Sequence, residues 1–202
     1  MRVRTEAKRE LILKTAGTAF MELGYEGTSM AEIAARVDCS KATLYGYFAS
    51  KEELFLGVIA HGVGSAVDPL LDELFASAGD APETVLRRFG ERYLVVTLAP
   101  DAIAMKRLII AQMSDPELAR RFWELGPRRY LDALEKYMVA ATGAGRLDVD
   151  DPKLAAQQLA ALYDAETSSG GLFAGGQTFT REYITRIVTY AVRAFLRMYG
   201  SR

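Results

Sequence analysis

The sequence predicts an all-α protein of about nine helices, because helix-start signals recur along the chain and no segment alternates as a strand does. Capping boxes of the form Ser-x-x-Glu begin at Ser29 and Ser50, where the serine oxygen accepts a backbone N–H and the glutamate reaches back. Asp115 and Asp151 each precede a proline, which suits the first position of a helix. Between these signals, apolar residues recur every three or four positions, as on one face of a helix.

Composition and charge exclude several classes of protein. The 202 residues are 50% hydrophobic and 25% charged, and the net charge of −1 by itself favours neither nucleic acid nor membrane as a partner. Long apolar runs and a signal-peptide pattern are absent from the sequence, so we predict a cytoplasmic protein. Cys39 and His61 are the single cysteine and histidine, and a metal site of normal ligand number cannot be built from these two alone.

Residues 29–48 have the pattern of a helix-turn-helix. A short helix over about 30–37 is followed by a three-residue break that starts at Asp38, and Ser40 can cap a second short helix over about 41–47. The first residue of so tight a turn usually has a left-handed backbone, which aspartate tolerates although glycine is better. The pattern therefore predicts two short helices joined at a left-handed Asp38.

The second of these helices has little bulk on the face turned away from the core. At about 100° per residue, Leu44 and Phe48 face the core, and Ala42 and Gly46 fall on the opposite side. The polar side chains that flank this bare face are Lys41, Thr43, Tyr45 and Lys51. Such a face lets the backbone approach base edges in a DNA groove while hydroxyls and lysines hold phosphates. The pattern alone also fits a solvated surface of an ordinary helical domain.

Residues 28–59, TSMAEIAARVDCSKATLYGYFASKEELFLGVI, resemble the DNA-binding module of tetracycline-repressor-like (TetR/AcrR) regulators. The shared features are the T-S-x-x-x-I-A start, the T-L-Y-x-Y-F recognition segment and the S-K-E-E-L-F entry to the fourth helix, within a module of about 5–66. Asp38 replaces the usual turn glycine and Cys39 the usual valine, and neither change alters the contact face. The DNA-contacting residues that the resemblance implies are Thr28, Ser29, Lys41, Ala42, Thr43, Tyr45, Gly46, Tyr47 and Lys51.

Residues 107–138 and 150–163 are similar to the AefR-like subgroup of the same family. In this family the C-terminal domain binds a small effector, and the last two helices of two chains form a four-helix dimer interface. The resemblance places these helices at about 152–170 and 179–199. Apolar residues too numerous for one face support a sticky surface there: Leu154, Leu159, Leu162, Ile184, Ile187, Val188, Ala191, Phe195 and Leu196.

The family also implies an effector cavity. Candidate lining residues at helical spacing are Phe89, Tyr93, Met105, Leu108, Ile109, Met113, Phe122, Trp123, Tyr130, Leu134 and Tyr163, each of which fits plain core packing as well. Methionine and aromatic side chains fill irregular spaces, so the predicted effector is small and largely apolar, with an aromatic molecule a natural case. Asp164 and Glu166 interrupt an apolar helix, and three places are open to them: the pocket, the dimer seam and solvent.

We therefore predict a small three-helix DNA-binding domain at 1–50 and a larger effector-binding and dimerisation domain at 51–202. The expected function is a ligand-responsive transcriptional repressor that binds a palindromic DNA operator as a homodimer and is released by its effector. Two other classes stay open, a helical-pocket enzyme and a helical adaptor that binds protein. With one histidine, one cysteine and no clear paired-carboxylate motif, we expect neither catalysis nor a cofactor.

Overall fold

The computed structural model describes residues 5–112, 114–167 and 179–201. The helices in this part of the chain are α1 (Glu6–Gly27), α2 (Met30–Arg36), α3 (Lys41–Tyr47), α4 (Lys51–Ile59), α5 (Ser65–Ala76), α6 (Pro82–Thr97), α7 (Pro100–Ala111), α8 (Pro116–Leu125), α9 (Pro127–Gly143), α10 (Pro152–Asp164) and α11 (Arg181–Tyr199). A π-helical turn, Ala60–Gly64, joins α4 to α5. The all-α prediction is confirmed. The eleven helices of these residues become ten when α4 and α5 are counted as one, close to the nine predicted.

The predicted capping residues start their helices. The side-chain oxygens of Ser29, Ser50, Asp115 and Asp151 each accept the backbone N–H of the residue three positions later, at 3.0 to 3.1 Å. Each bond satisfies one of the N–H groups that the first turn of a helix leaves without a partner. Short-range sequence signals therefore fixed the starts of α2, α4, α8 and α10.

The glutamates of the two capping boxes behave differently. The Glu53 carboxylate accepts the backbone N–H of Ala49 at 2.8 Å, so the second box closes on the residue before its serine. The Glu32 carboxylate instead accepts a hydrogen bond from Arg36 Nε at 2.8 Å, and the same guanidinium donates to Glu22 at 2.6 Å. The expectation that Glu32 reaches back to Ser29 is therefore replaced by an ion-pair bridge between α1 and α2.

The described residues form two compact units. The first contains the chain up to Gly64 together with Ala104–Phe122, and the second contains Ser65–Ile103 together with the residues from Trp123 onward. This division concerns packing alone, and the functional boundary at residues 50 and 51 stays a prediction.

The first unit is built on an aromatic cluster. The rings of Phe20, Tyr25 and Phe55 lie with their centroids 4.9 to 5.8 Å apart. Gly24 has a φ of 73° and interrupts the helical geometry of α1. An L side chain at that φ is strained, so glycine lets the chain turn towards α2.

The second unit depends on a close approach at Gly90. In this unit α6 packs against α11, and α9 packs against α10. A Cβ atom on Gly90 would lie only 2.7 Å from Cε1 of Tyr163 and 3.0 Å from Cγ1 of Val188. The buried Tyr163 hydroxyl donates to the carbonyl of Leu86 at 2.8 Å. The absence of a side chain at Gly90 therefore lets the Tyr163 ring lie against α6.

Two global features bear on the kind of protein. Across the described residues, no single helix is long and apolar enough to cross a membrane, and α4 and α5 meet that test only as a pair. The first of these two helices, α4, buries Leu54, Phe55 and Leu56 in the core of the first unit. The same part of the chain holds no group of three His, Cys, Asp or Glu side chains placed to bind a metal ion.

Candidate DNA-binding surface and effector region

The turn between α2 and α3 has the predicted left-handed residue. Asp38 has a φ of 53°, and its backbone N–H donates to the carbonyl of Ala35 at 3.2 Å. The Lys8 ammonium donates to the carbonyl of Val37 at 3.0 Å, so α1 also holds the turn. A left-handed L-residue costs about 1–2 kcal/mol, and aspartate is one of the few types that adopts this conformation routinely. The turn is therefore tight without a glycine.

The α3 helix presents the bare face that the sequence predicts. Leu44 and Phe48 are buried in the first core. On the other side Ala42 is exposed and Gly46 is half-buried, so neither belongs to the interior. The predicted orientation of α3 is therefore confirmed, and a smooth strip of backbone faces outward.

Polar groups border this strip at the start of α3. Ser40 Oγ accepts the backbone N–H of Thr43 at 3.0 Å and lies 2.8 Å from the Thr43 hydroxyl oxygen. Lys41 is exposed beside this cap, and Tyr45 is exposed one turn later. A cation and hydroxyl groups therefore lie on the same outer surface as Ala42.

Two predicted DNA contacts are engaged inside the domain instead. The Thr28 side chain is 1% exposed, and its hydroxyl lies 2.7 Å from the carbonyl oxygen of Gly24 and 3.2 Å from that of Ala19. The Lys51 ammonium donates to the carbonyl of Tyr25 at 2.9 Å and to that of Thr28 at 3.2 Å. Both side chains therefore hold the connection between α1 and α2.

Two further predicted contacts are partly engaged. Ser29 is exposed, but its oxygen caps α2 by accepting the Glu32 N–H. The half-buried Tyr47 hydroxyl accepts the backbone N–H of Thr5 at 3.0 Å and keeps its own proton to donate. We use the term docking face for the exposed and half-buried members of the predicted set, which are Ser29, Lys41, Ala42, Thr43, Tyr45, Gly46 and Tyr47.

The ring of Tyr25 is kept neutral near this surface. Burial, followed by the neighbouring Glu52 carboxylate, raises the pKa of Tyr25 to about 12. Its phenol therefore carries no negative charge at physiological pH. The Lys51 ammonium lies 4.2 Å from the centroid of the same ring. A neutral ring face attracts such a cation through its quadrupole.

The predicted effector-lining residues are divided between the two units, and Met113 lies outside the described residues. Those in the first unit are Met105, Leu108, Ile109 and Phe122, which pack against its core. Those in the second unit are Phe89, Tyr93, Trp123, Tyr130, Leu134 and Tyr163. Trp123 is 47% exposed, whereas Leu134 and Tyr163 are fully buried. Sequence spacing alone could not separate these two groups.

An aromatic stack occupies the second unit. The Tyr93 and Tyr130 rings are parallel within 5°, with centroids 4.4 Å apart, and Phe89 stacks at 5.8 Å from Tyr93. Burial raises the pKa of both tyrosines, and the Asp164 carboxylate raises it further. Both phenols therefore stay protonated, and the stack is an apolar cluster that carries two hydroxyl groups.

Most of the apolar residues predicted to form an interaction surface on the last two helices are buried within this chain. Those that are buried in the second unit are Leu159, Ile184, Ile187, Val188, Ala191 and Phe195. The argument from an apolar surplus is corrected accordingly, because α11 packs on α6 and α10. Leu154 remains 45% exposed, and the unpredicted Tyr190 and Met198 are 58% and 54% exposed.

A groove of about 370 Å³ lies on the α10–α11 surface, and Leu162, Glu166 and Tyr190 are among its lining residues. The Glu166 carboxylate accepts hydrogen bonds from Arg186 at 2.8 Å and from the Tyr183 hydroxyl at 3.2 Å. Glu166 therefore forms an exposed ion pair at the α10–α11 surface and is not buried in a pocket of the chain. Asp164 is exposed as well.

Comparison with known proteins assigns a family to both parts of the chain. Residues 12–58 match the family described as bacterial regulatory proteins, tetR family. Residues 84–201 match the AefR-like transcriptional repressor, C-terminal domain. The resemblance that the sequence motifs suggest is thereby confirmed over both segments.

Solved structures and a curated relative agree with this assignment. A TetR-family regulator from Mesorhizobium loti MAFF303099 is 30% identical with a TM-score of 0.88, over 98% of this chain and 100% of that one. The flavonoid-responsive regulator FrrA is 32% identical over the same shares, with a TM-score of 0.77. The HTH-type transcriptional regulator YuxN of Bacillus subtilis (strain 168) is 36% identical over 81 residues, 40% of this chain. That alignment spans 27% of YuxN, about a quarter of its length. This chain belongs to the TetR family of bacterial transcriptional regulators, and its C-terminal domain is of the AefR-like type.

Proposed function

We propose that this regulator is a repressor that binds a palindromic operator as a homodimer through the docking face and leaves it when a planar aromatic effector binds the second unit. The observation that carries the DNA-binding part is the orientation of α3. Its buried Leu44 and Phe48 anchor the helix, and Ala42 and Gly46 leave the outer backbone open to a duplex. The match to an AefR-like repressor domain supports repression.

The docking face offers two kinds of DNA contact. The exposed Lys41 ammonium and the Tyr45 hydroxyl suit phosphate oxygens, which fix register without reading sequence. The Ala42 methyl and the Gly46 backbone suit base edges in the major groove, where an apolar group can contact the methyl of thymine. Two such helices, one from each protomer and about 34–36 Å apart, would read the two halves of a palindrome.

The α10–α11 surface is the proposed dimer interface. Its exposed apolar residues Tyr190 and Met198 lie on α11, and Leu154 lies on α10. Aromatic residues and methionine are enriched in protein interfaces, and large exposed apolar side chains gain from being covered. The groove beside Tyr190 gives a partner helix space for its own side chains.

The aromatic stack supports the proposed effector class. Tyr93 and Tyr130 are neutral, parallel rings that stack on each other at 4.4 Å. A flat ring system that extends or replaces this stack would meet aromatic faces at similar spacing. The 32% identical FrrA is described as flavonoid-responsive, and flavonoids are flat phenolic molecules. An effector changes DNA affinity only through its different affinity for the DNA-bound and DNA-free states.

The test is an anisotropy titration of the full-length protein on labelled duplex from upstream of its own gene, with unrelated duplex as the reference. We expect preference for the upstream duplex, two protomers per duplex, and a weaker complex in the presence of the flavonoid apigenin. Tyr45→Ala should weaken DNA binding directly. Tyr190→Ala should weaken it only because fewer protomers are paired, and sedimentation would measure that loss of dimer. Equal binding to both duplexes by a folded dimer would refute the proposed operator recognition, and an unchanged complex with apigenin would refute the effector class tested.

A further inference from the structure

We propose that Lys51 is a positioning residue, whose ammonium group locks the connection between α1 and α2 instead of neutralising a DNA phosphate. The inference rests on the proposed DNA binding, because the connection it locks leads into the docking face. Its basis is the geometry of one side chain. Nζ of Lys51 lies 2.9 Å from the carbonyl oxygen of Tyr25 and 3.2 Å from that of Thr28.

These contacts use most of the hydrogen-bonding capacity of the Lys51 ammonium group. A lysine has three N–H donors, and two of them point to carbonyl oxygens. The Tyr25 ring covers the group as well, at 4.2 Å from Nζ to the ring centroid. Phe20 and Phe55 hold that ring from its other sides, at centroid distances of 5.8 and 4.9 Å. Two carbonyl oxygens and a ring face therefore solvate the Lys51 ammonium within the first unit.

The carbonyls that Lys51 binds belong to chain that has left the regular part of α1. Gly24 turns the backbone with a φ of 73°, and in the short turn that follows the Tyr25 carbonyl accepts the Thr28 N–H at 3.3 Å. The Lys51 ammonium adds a second hydrogen bond to that carbonyl. The Thr28 hydroxyl bonds to the carbonyls of Gly24 and Ala19, which ties the same segment from a second side. Lys51 and Thr28 thus hold one segment together.

Both ends of the helix-turn-helix meet at this lock. The segment Tyr25–Thr28 leads directly to Ser29, the N-cap of α2. Lys51 itself follows Phe48, the C-cap of α3, by three residues. A single ammonium group therefore ties the entrance of α2 to the exit of α3, which is a geometry suited to fixing the direction of the docking face.

The two roles predict different salt dependence. When a lysine neutralises a phosphate, its loss removes about 0.9 from the slope of log affinity against log salt concentration for each contact, or about 1.8 for a dimer. Loss of a positioning lysine weakens DNA binding at every salt concentration and leaves the slope of log affinity against log salt concentration nearly unchanged. The comparison uses full-length wild type, Lys51→Met and Lys51→Gln, with the exposed Lys41→Met as the matched phosphate control, each titrated on the upstream duplex from 50 to 300 mM KCl.

We expect Lys51→Met to weaken binding about tenfold on a line parallel to wild type and to lower Tm by about 3–5 °C. Lys51→Gln, which keeps N–H donors but no charge, should recover part of both losses. Lys41→Met should lower the slope while leaving Tm within 1 °C. A slope change for Lys51→Met or Lys51→Gln as large as that for Lys41→Met would overturn the lock, whatever the change in Tm.

The outcomes separate this inference from the proposed function. If Lys51→Met does not fold, the slope of Lys51→Gln decides the question. If the wild type binds no duplex, DNA binding fails and the positioning role falls with it, whereas a slope loss in Lys51 variants of a binding wild type overturns the lock alone. Under the lock, amide hydrogen exchange at Thr28 and Ser29 also becomes faster in Lys51→Met and stays unchanged in Lys41→Met.

Discussion

The contacts around α2 and α3 in the first unit differ in kind from the contact at Gly90 in the second. In the first, Lys8 and Lys51 each donate to backbone carbonyls more than twenty residues away in the sequence. In the second, one close contact is steric, because Gly90 lies too close to the Tyr163 ring for any Cβ atom. A hydrogen bond fixes the direction of the groups that it joins and contributes modestly to the free energy of unfolding. A close-packed contact resists any added volume.

The difference suits the proposed role of each unit. A surface that reads DNA has to hold its backbone in one direction, and single polar groups that grip carbonyls achieve this around α2 and α3. A region that accommodates different molecules across a family can vary through the shape and volume of its packed side chains. Hydrogen bonds therefore set the geometry around α2 and α3, whereas the volume of packed side chains sets the geometry at Gly90.

The largest effect is expected from one methyl group added at Gly90. The new Cβ of Gly90→Ala would lie 2.7 Å from Cε1 and 2.8 Å from Cζ of Tyr163. Overpacking of this kind costs about 1–3 kcal/mol, so we expect the free energy of unfolding to fall by about 2 kcal/mol. Urea unfolding followed by circular dichroism measures the change.

Gly143→Ala is the matched control, because Gly143 ends α9 and a Cβ there would meet no atom within 4 Å. It should be neutral or stabilising by up to about 1 kcal/mol, as the helix propensity of alanine predicts. Equal stability of the two variants would show that the contact at Gly90 relaxes without cost.

A second variant tests whether polar bonds control the first unit. Thr28→Val keeps the shape of the side chain and removes the hydroxyl that bonds to the carbonyls of Gly24 and Ala19. Because this hydroxyl is buried, we expect a loss of about 1.5 kcal/mol in thermal or urea unfolding. Thr18→Val removes an exposed hydroxyl on α1 and should cost no more than about 0.5 kcal/mol. Similar losses for the two would contradict a special role for Thr28.

The smallest effect is expected at Asp38, in the turn between α2 and α3. Asp38→Gly removes the strain of a φ of 53° but adds chain entropy to the unfolded state, so we expect a gain of about 0.5 kcal/mol. Asp38→Ala keeps a Cβ at the left-handed position and should destabilise by a similar amount. Differential scanning calorimetry of the pair gives the answer, and shifts of the same sign would argue against backbone strain as the cause.

Features that depend on neighbours in the sequence were predictable. The caps at Ser29, Ser50, Asp115 and Asp151 act three residues ahead, within one helical turn. The inward face of α3 follows from a period of 3.6 residues. The left-handed Asp38 follows from the shortness of the turn and the tolerance of aspartate.

Features that depend on distant chain were not predictable. The lysine at position 51 reads as a DNA-facing cation in the sequence, and only the fold shows that carbonyls 23 and 26 residues earlier accept its bonds. Lys8 carries no sequence signal for its bond to Val37. The apolar pattern of α11 shows that Ile187 and Phe195 are buried, but it does not show whether α6 or a second chain covers them.

The contact at Gly90 also constrains how this protein can change over evolutionary time. A residue larger than glycine at position 90 requires a smaller one at position 163, because both occupy one space. Neither substitution is tolerated alone at full stability, so the two positions are expected to vary together among relatives. A homologue with alanine at the first position and a tyrosine retained at the second would need a compensating shift between its sixth and tenth helices.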